Sequence, residues 1–357
     1  MLRFFIKYSK WFIGAVGILI FALTQMPRVN DSIIWHRAEG ALIDQRFLWR
    51  GYRTPDTNIV LVGVQTSSLS LDELAPEEIK ASPTLELMTQ PFPWSRAVFA
   101  ATLDKLIAAG ARTVVFDFVF ASIKDGDAVF AAALKRHRGH VVIGSMIAGD
   151  EHKFTPPAPE LLEGGGEDAL GLVNIWSDPD EVVRRGKYRT SNERESPRLS
   201  KLAGSMFEDN LIHMSAQAVK QFQGHVSTPP YGKDNFIDFQ GREKLFRTVP
   251  IEHLFVDTLW KAPPIDGGII FSNKIVIVGP LAEIFHDTHN TPFGETPGPA
   301  IQGQMMVTLL HNSSLTEPTP LSNKALTLAM VVFALLLSLV VQNASLKPLL
   351  LILAAGA

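Results

Sequence analysis

The densest polar constellation in the chain is His286-Asp287-Thr288-His289, within PLAEIFHDTHNTPFG, just after an apolar run that ends at Gly279. Two imidazoles around a carboxylate are donor types that a divalent metal accepts. A closed site needs further ligands, which the sequence does not identify. A loop held by Asp287 bonding to neighbouring backbone N–H groups accounts for the same residues. A second candidate is Asp117, set in the apolar run VVFDFVF. A carboxyl in such a run must be paired or hold its proton; Arg46 and Arg96 are the candidate partners, and a ligand contact is the other reading. Asp125 and Asp127 flank Gly126 and predict an acidic turn capping the helix that follows. Paired carboxylates also serve glycosidases, but nothing else here outlines a sugar cleft.

The motifs that are missing narrow the chemistry. There is no GxSxG elbow, no HExxH, no GxxxxGKS/T loop and no kinase set. Gly63 and Gly279 end apolar runs without a GxGxxG continuation, and the Gly164–Gly166 triplet reads as a turn rather than a phosphate cradle. With zero cysteines, a thiol nucleophile, a disulfide scaffold and a zinc ribbon are excluded. No catalytic residue, no metal site and no cofactor is predicted for this chain.

The elements that must position these groups follow from hydrophobic pattern. Residues 58–64 (NIVLVGV), 112–120 (RTVVFDFVF), 140–147 (HVVIGSMI) and 273–279 (NKIVIVG) are β-branched runs suited to strands buried on both faces. Ser95 is the predicted N-cap of a helix over 96–109, with Val98, Thr102, Leu106 and Ala109 on one face and Gly110 ending it. Further helices are expected at 127–136, 211–222 and 300–310, and further strands at 182–188 and 236–239. The Glu- and Pro-rich stretch 71–90 reads as a loop insertion. The β-α-β-α-β order predicts an α/β fold with a largely parallel sheet flanked by helices. In such sheets ligands settle beyond the carboxyl ends of the strands, which here offer Gln65, Thr66 and Asp117.

Lys+Arg 33 against Asp+Glu 36 leaves a net charge of −3, with no basic excess for a nucleic-acid partner. Only 19% of the 357 residues are charged, and unevenly so. Residues 11–26 are uncharged and follow Arg3, Lys7 and Lys10 with no acid. A helix there rises about 24 Å, and the flanking lysines can snorkel to extend it. The basic start puts residues 1–10 in the cytoplasm. A cleaved signal peptide shares these marks, but TQMPRVND holds no small-residue cleavage site. A second span is expected at 325–341, a cytoplasmic turn at 342–348 and the start of a third, incomplete span at 349–357. The α/β body, 27–324, is thus expected to be inserted between transmembrane helices, on the outer face of a bacterial inner membrane in a multi-pass protein.

Several blocks, in order, carry a resemblance. They are Asp44-x-Arg46, IVLVGVQTSSL (59–69), PFPWSRAVFAATLDKLIAAGARTVVFDFVF (91–120) and DGDAVFAAAL (125–134). GLVNIWSDPDEVVRR (171–185), FIDFQG (236–241), NKIVIVG (273–279), and Asp287-x-x-x-Thr291-Pro292 leading to PGPAIQGQMMVTLL (297–310) complete them. Together they resemble the second type of CHASE domain, the cyclase/histidine-kinase-associated sensory extracellular module, over about residues 31–315. The resemblance implies one N-terminal span, an outer sensor and usually three later spans. It also implies a cytoplasmic cyclase, kinase or diguanylate-type output, beyond Ala357 or on a partner, and work as a homodimer or within a membrane complex. Where the family carries a Glu-x-His-like element after the PG, this chain has Pro299-Ala300-Ile301-Gln302. The candidate ligand-binding set is Gln65, Thr66, Asp117, Asn174, Asp287 and Thr291, for an unknown small-molecule or protein ligand, with the lipid bilayer as a second partner. The rival expectation is a structural or assembly subunit of a cell-envelope complex that uses the same body as a scaffold.

Overall fold

The computed structural model describes residues 33–148, 153–190, 211–229, 234–241, 246–316 and 319–340. The expected span at 11–26, the turn at 342–348 and the third span at 349–357 lie outside the described residues. The chain divides into two compact units, one of residues 44–315 and one of residues 1–43 with 316–357.

Helix α1 (Ile33–Arg50) leads to β1 (Ile59–Val64), α2 (Arg96–Ala108), β2 (Thr113–Val119), α3 (Asp127–Arg136), β3 (Val141–Ala148) and β4 (Lys153–Thr155). Then come α4 (Pro159–Gly165), β5 (Leu170–Leu172), α5 (Met214–Gln223), β6 (Arg247–Pro250) and β7 (Ile275–Pro280). The hairpin β8 (Thr288–Thr291) and β9 (Gly294–Pro297) runs straight into α6 (Gly298–Leu310). The central sheet has the order β6-β1-β7-β2-β3, with β4 and β5 both paired to the far side of β3. Every pairing in it is parallel except that of β4 with β3. The protein is therefore a mixed α/β fold with a mostly parallel central sheet flanked by helices.

The pattern dictates this burial. All six residues of β1 are buried, as are the first five of β7, and only helices on both faces can cover such runs. On one face α2 and α3 pack Val98, Phe99, Leu103, Phe130 and Leu134 against Val114, Phe116 and Val278. Phe99, Phe116, Phe120 and Phe130 meet mostly edge to face at 5.0–6.3 Å, a geometry that adds attraction beyond area burial. On the other face α6 lies over β7 and α5 over β3 and β5.

Ser95 caps α2 as expected, its hydroxyl accepting from the Ala97 N–H at 3.4 Å. The acidic turn works differently from the expectation. Asp127 is the first residue of α3, and the N-cap is Gly126 at φ +82°. A Cβ on Gly126 would lie 2.5 Å from the Ala97 nitrogen, so only glycine lets this turn close on the start of α2. Ser95 Oγ donates to Asp125 Oδ2 at 2.7 Å, and Arg96 Nε lies 3.4 Å from Asp127 Oδ1. The two helix starts are thereby locked together.

Other expectations are corrected. Stretch 71–90 is not a bare loop: two short helices, Pro76–Lys80 and Pro83–Met88, bury Leu85 and Met88. Two prolines and short apolar spacing hide these turns from a periodicity reading. The strand expected at 236–239 survives only as Asn235–Phe236, paired to Arg185–Gly186. Of the strand expected at 182–188 that pair remains, preceded by a single parallel bridge between Val182 and Asn290.

Arg184 directly precedes that pair. Its guanidinium, 2% exposed, binds Asp44 through Nε and Nη2 at 2.7 and 2.8 Å, Asp180 through Nη1 and Nη2 at 2.8 Å each, and Asp178 at 3.1 Å. Burial works against the charge, but hydrogen bonds to Asp44 and Asp180 outweigh it and hold Arg184 above its ordinary value. Arg185 joins the cluster, reaching Asp178 at 2.5 Å and stacking on Phe236.

The second unit contains helix α7 (Pro320–Val340). Among the described residues no helix is long and apolar enough to cross a membrane. The uncharged part of α7, residues 325–340, rises about 24 Å at 1.5 Å per residue, short of a hydrocarbon core of about 30 Å.

Replacing Arg184 with Met strips Asp44 and Asp180 of their cation and leaves Asp178 only Arg185. Urea unfolding of the full chain in detergent should show a loss of about 3–5 kcal/mol, and Arg184→Lys, which lacks the planar fork, should recover only part of it.

Candidate functional site

A parallel sheet brings its loops together at the carboxyl ends of its strands, and at the centre of this one those ends belong to β1, β7 and β2. The last rung between β7 and β2 pairs Val278 with Phe116. The pairing of β2 with β3 shifts register between Phe116 and Val119. Asp117 sits in that irregularity, the kind of feature that re-aims a side chain.

Two glycines allow the first turn of α6 to close over it. A Cβ on Gly279 would lie 3.2 Å from the Asp117 Cβ and 2.5 Å from Pro299 Cγ. A Cβ on Gly298 would strike the Asp287 carboxylate oxygens. The Gly298 N–H donates to the Asp287 carbonyl at 2.9 Å, and His289 Nε2 lies 3.3 Å from Asp287 Oδ1. Asp287 thus brings negative charge to the start of a 13-residue helix, where the peptide dipoles favour it.

Asp117 is 9% exposed, and among the described residues no hydrogen bond or ion pair reaches its carboxyl. Burial pushes its pKa well above the usual carboxylate range, and the charge of Asp287 pushes it further. The expected pairing with an arginine is corrected: Arg96 turns instead to Asp127 and to the Phe120 ring, 4.6 Å away, and Arg46 is exposed on α1. The geometric cause is the alternation of β2, which sends Phe116 toward α2 and Asp117 toward α6.

The other candidates are dispersed. Gln65 and Thr66 begin a short helix at the end of β1, where the Gln65 N–H donates to Ser68 Oγ at 2.9 Å and Ser68 donates to the buried Glu252 at 2.5 Å. The Asn174 side chain bridges both backbone groups of Ile147 at 2.8 Å each, extending the sheet edge beside β3. Thr291 Oγ1 donates to the Gly294 carbonyl at 2.8 Å and closes the β8–β9 turn. Of the six, the fold brings Asp117 and Asp287 together. His286 is exposed in a left-handed conformation, and among the described residues no group of three or more His, Cys, Asp or Glu is placed to hold a metal ion.

Sequence reasoning missed Gln302, noted only as a departure from the family's acid and imidazole. It is wholly buried in α6; its Nε2 donates to the Val173 carbonyl at 2.9 Å, and its Oε1 has no partner. It also missed His213, the N-cap of α5, whose Nδ1 accepts from the Ser215 N–H and whose Nε2 donates to the Asn174 carbonyl at 3.0 Å. A His at the head of an amphipathic segment was the available signal.

The family model of the CHASE2 domain matches residues 15–341. The chain belongs to the CHASE2 family. No curated protein and no solved structure matches it. CHASE2 domains are sensory modules typical of signalling receptors and are generally extracytoplasmic. In this CHASE2 domain the centre of the sheet therefore presents a buried, unpaired carboxyl on the side where α/β folds receive ligands.

Two buried groups have opposite pH signatures. Asp117 holds its proton in the folded state above the pH, about 3.9, at which an unfolded chain releases it. Its contribution is full below that pH and is lost as pH rises through the folded value. Asp117→Asn should accordingly raise the melting temperature at and above neutral pH and flatten the decline toward alkaline pH. Burial lowers His213 to about 4, against its hydrogen bond to the Asn174 carbonyl. Its contribution of roughly 3 kcal/mol is present above about 6.5 and lost as pH falls toward 4. His213→Gln should show a shallower loss of melting temperature across that acid window.

Proposed function

We propose that this chain is the membrane-anchored, periplasmic sensory part of a bacterial signalling receptor, multi-pass in the inner membrane. Its α/β body binds a small molecule or protein and relays binding to the membrane helices. The observation that carries the sensing half is Asp117, a carboxyl buried with no partner among the described residues at the carboxyl end of the central strands. Packing alone has no use for it: an apolar residue in that run would remove the cost of burying a polar group.

Anchoring is supported by the uncharged stretch 11–26 behind a basic start. It is supported also by α7, whose Leu326, Leu328, Val332, Phe333 and Leu336 are all exposed, a surface that acyl chains accept and water does not. Relay is supported by Arg184, which fastens Asp44 of α1 to the body. A ligand biases such a device only by differing in affinity for its two states, and helix shifts are the usual output. The rival, an assembly subunit of an envelope complex, draws support from Leu48, Trp49 and Tyr52, exposed together around the end of α1.

In a thermal-shift screen of a metabolite library against the full chain in detergent, the sensory reading expects at least one compound to raise the melting temperature. No hit together with co-purification in a large complex would favour the rival. Reporter fusions after Ser9 and Leu346 should read cytoplasmic and one at Glu193 periplasmic. Because the chain has no cysteine, Glu193→Cys should also be labelled by a membrane-impermeant thiol reagent in intact spheroplasts. A cytoplasmic reading at Glu193 would overturn the scheme.

A further inference from the structure

We infer that the place where β2, β7 and the first turn of α6 meet binds a small organic cation, a protonated amine or a guanidinium, between the carboxylates of Asp117 and Asp287, with the side-chain oxygen of Gln302 as third acceptor. The inference rests on the sensory reading above and assigns its ligand a chemical class.

Three observations converge. Gln302 offers an orphaned buried acceptor, and Asp117 becomes an acceptor of full charge once it gives up its proton. Among the described residues Asp117 has no partner. Gln302 is 0% exposed, and its bond to the Val173 carbonyl fixes which end of the amide is nitrogen, leaving Oε1 orphaned. Asp287 receives only the long contact from His289 at 3.3 Å. The second observation is placement on one helix. Gly298 lies against the Asp287 carboxylate, and Pro299 reaches the Gly279 position beside Asp117. Gln302 follows these by four and three residues and so lies on the same face, one turn deeper. The third is access: the Asp287 side chain is 31% exposed and Asp117 is 9% exposed, so solvent reaches both carboxyls while Gln302 lies wholly inside.

Donor chemistry then selects the occupant. A buried acceptor left unpaired costs about 1–3 kcal/mol, and a cation carrying several N–H groups satisfies all three acceptors at once. An anion would meet two carboxylates, although a helix start lies close by, because Asp287 already occupies it. A calcium-like ion takes six to eight oxygens, more than these residues supply. The cation enters charged and Asp117 gives its proton to solvent, so binding should release one proton.

Isothermal titration of the full chain in detergent with diaminobutane and with methylguanidine tests this, against the neutral isosteres butanediol and methylurea and against calcium chloride. At least one cation should bind while the isosteres and calcium do not, with a binding heat that changes with the ionisation heat of the buffer. Asp117→Asn should weaken binding about 100-fold or more and abolish the buffer dependence. Asp287→Asn and Gln302→Met, which spare the buried carboxyl, should each weaken it about tenfold. Binding of neither cation, equal binding of an isostere or of calcium, or unchanged binding by Asp117→Asn would overturn the inference. If the metabolite screen then yields a ligand of other chemistry, the sensory reading stands without it; if the screen is also empty, both fall.

Discussion

A guanidinium buried to 2% exposure must have its charge answered inside the protein, and Arg184 is answered by Asp44, Asp178 and Asp180. Two of these carboxylates come from the turn just before it, and the third from a helix 140 residues earlier. That long reach is the constraint on which the rest of the body depends. It fixes the end of α1 against the α/β unit, and the neighbouring Arg185 shares Asp178 and stacks on Phe236. An isolated surface pair is worth little; a buried, forked arginine is costly to break, because Asp44 and Asp180 would be left without their cation.

Asp117 is the opposite case. Its charge has no answer in the described residues, so burial and the nearby Asp287 favour the neutral acid. The same body thus holds one buried charge that is over-compensated and one carboxyl that is not compensated at all. The first accounts for rigidity, the second for a place where binding can change a protonation state. The glycines at 279 and 298 connect the two roles to the fold, since either Cβ would push α6 away from the sheet ends or into the Asp287 carboxylate.

Much of this was legible in the pattern. The buried strands, the Ser95 cap and α3 stand where periodicity and capping chemistry put them, and the block order identified the family. Most of what escaped depends on partners distant in sequence. The pairing of Arg184 with Asp44, the orphaned oxygen of Gln302 and the turn of Arg96 toward Asp127 rather than Asp117 cannot be read from neighbours along the chain. The short helices at 76–80 and 83–88 escaped for a local reason, since one turn is too short to show a period.

By itself the sequence determined the central buried strands and the helices over 96–108 and 127–136, because β-branched runs and capped amphipathic stretches have few other ways to bury themselves. It also determined that a carboxyl would be buried in β2. The order of the strands was decided only in three dimensions. Runs apolar on both faces, such as β1, β2 and β7, look interchangeable, and nothing local says that β7, about 160 residues beyond β2, slots between β1 and β2. That choice brings Gly279 beside Asp117 and Asp287 to the head of α6, and it turns a lone buried acid into a candidate site.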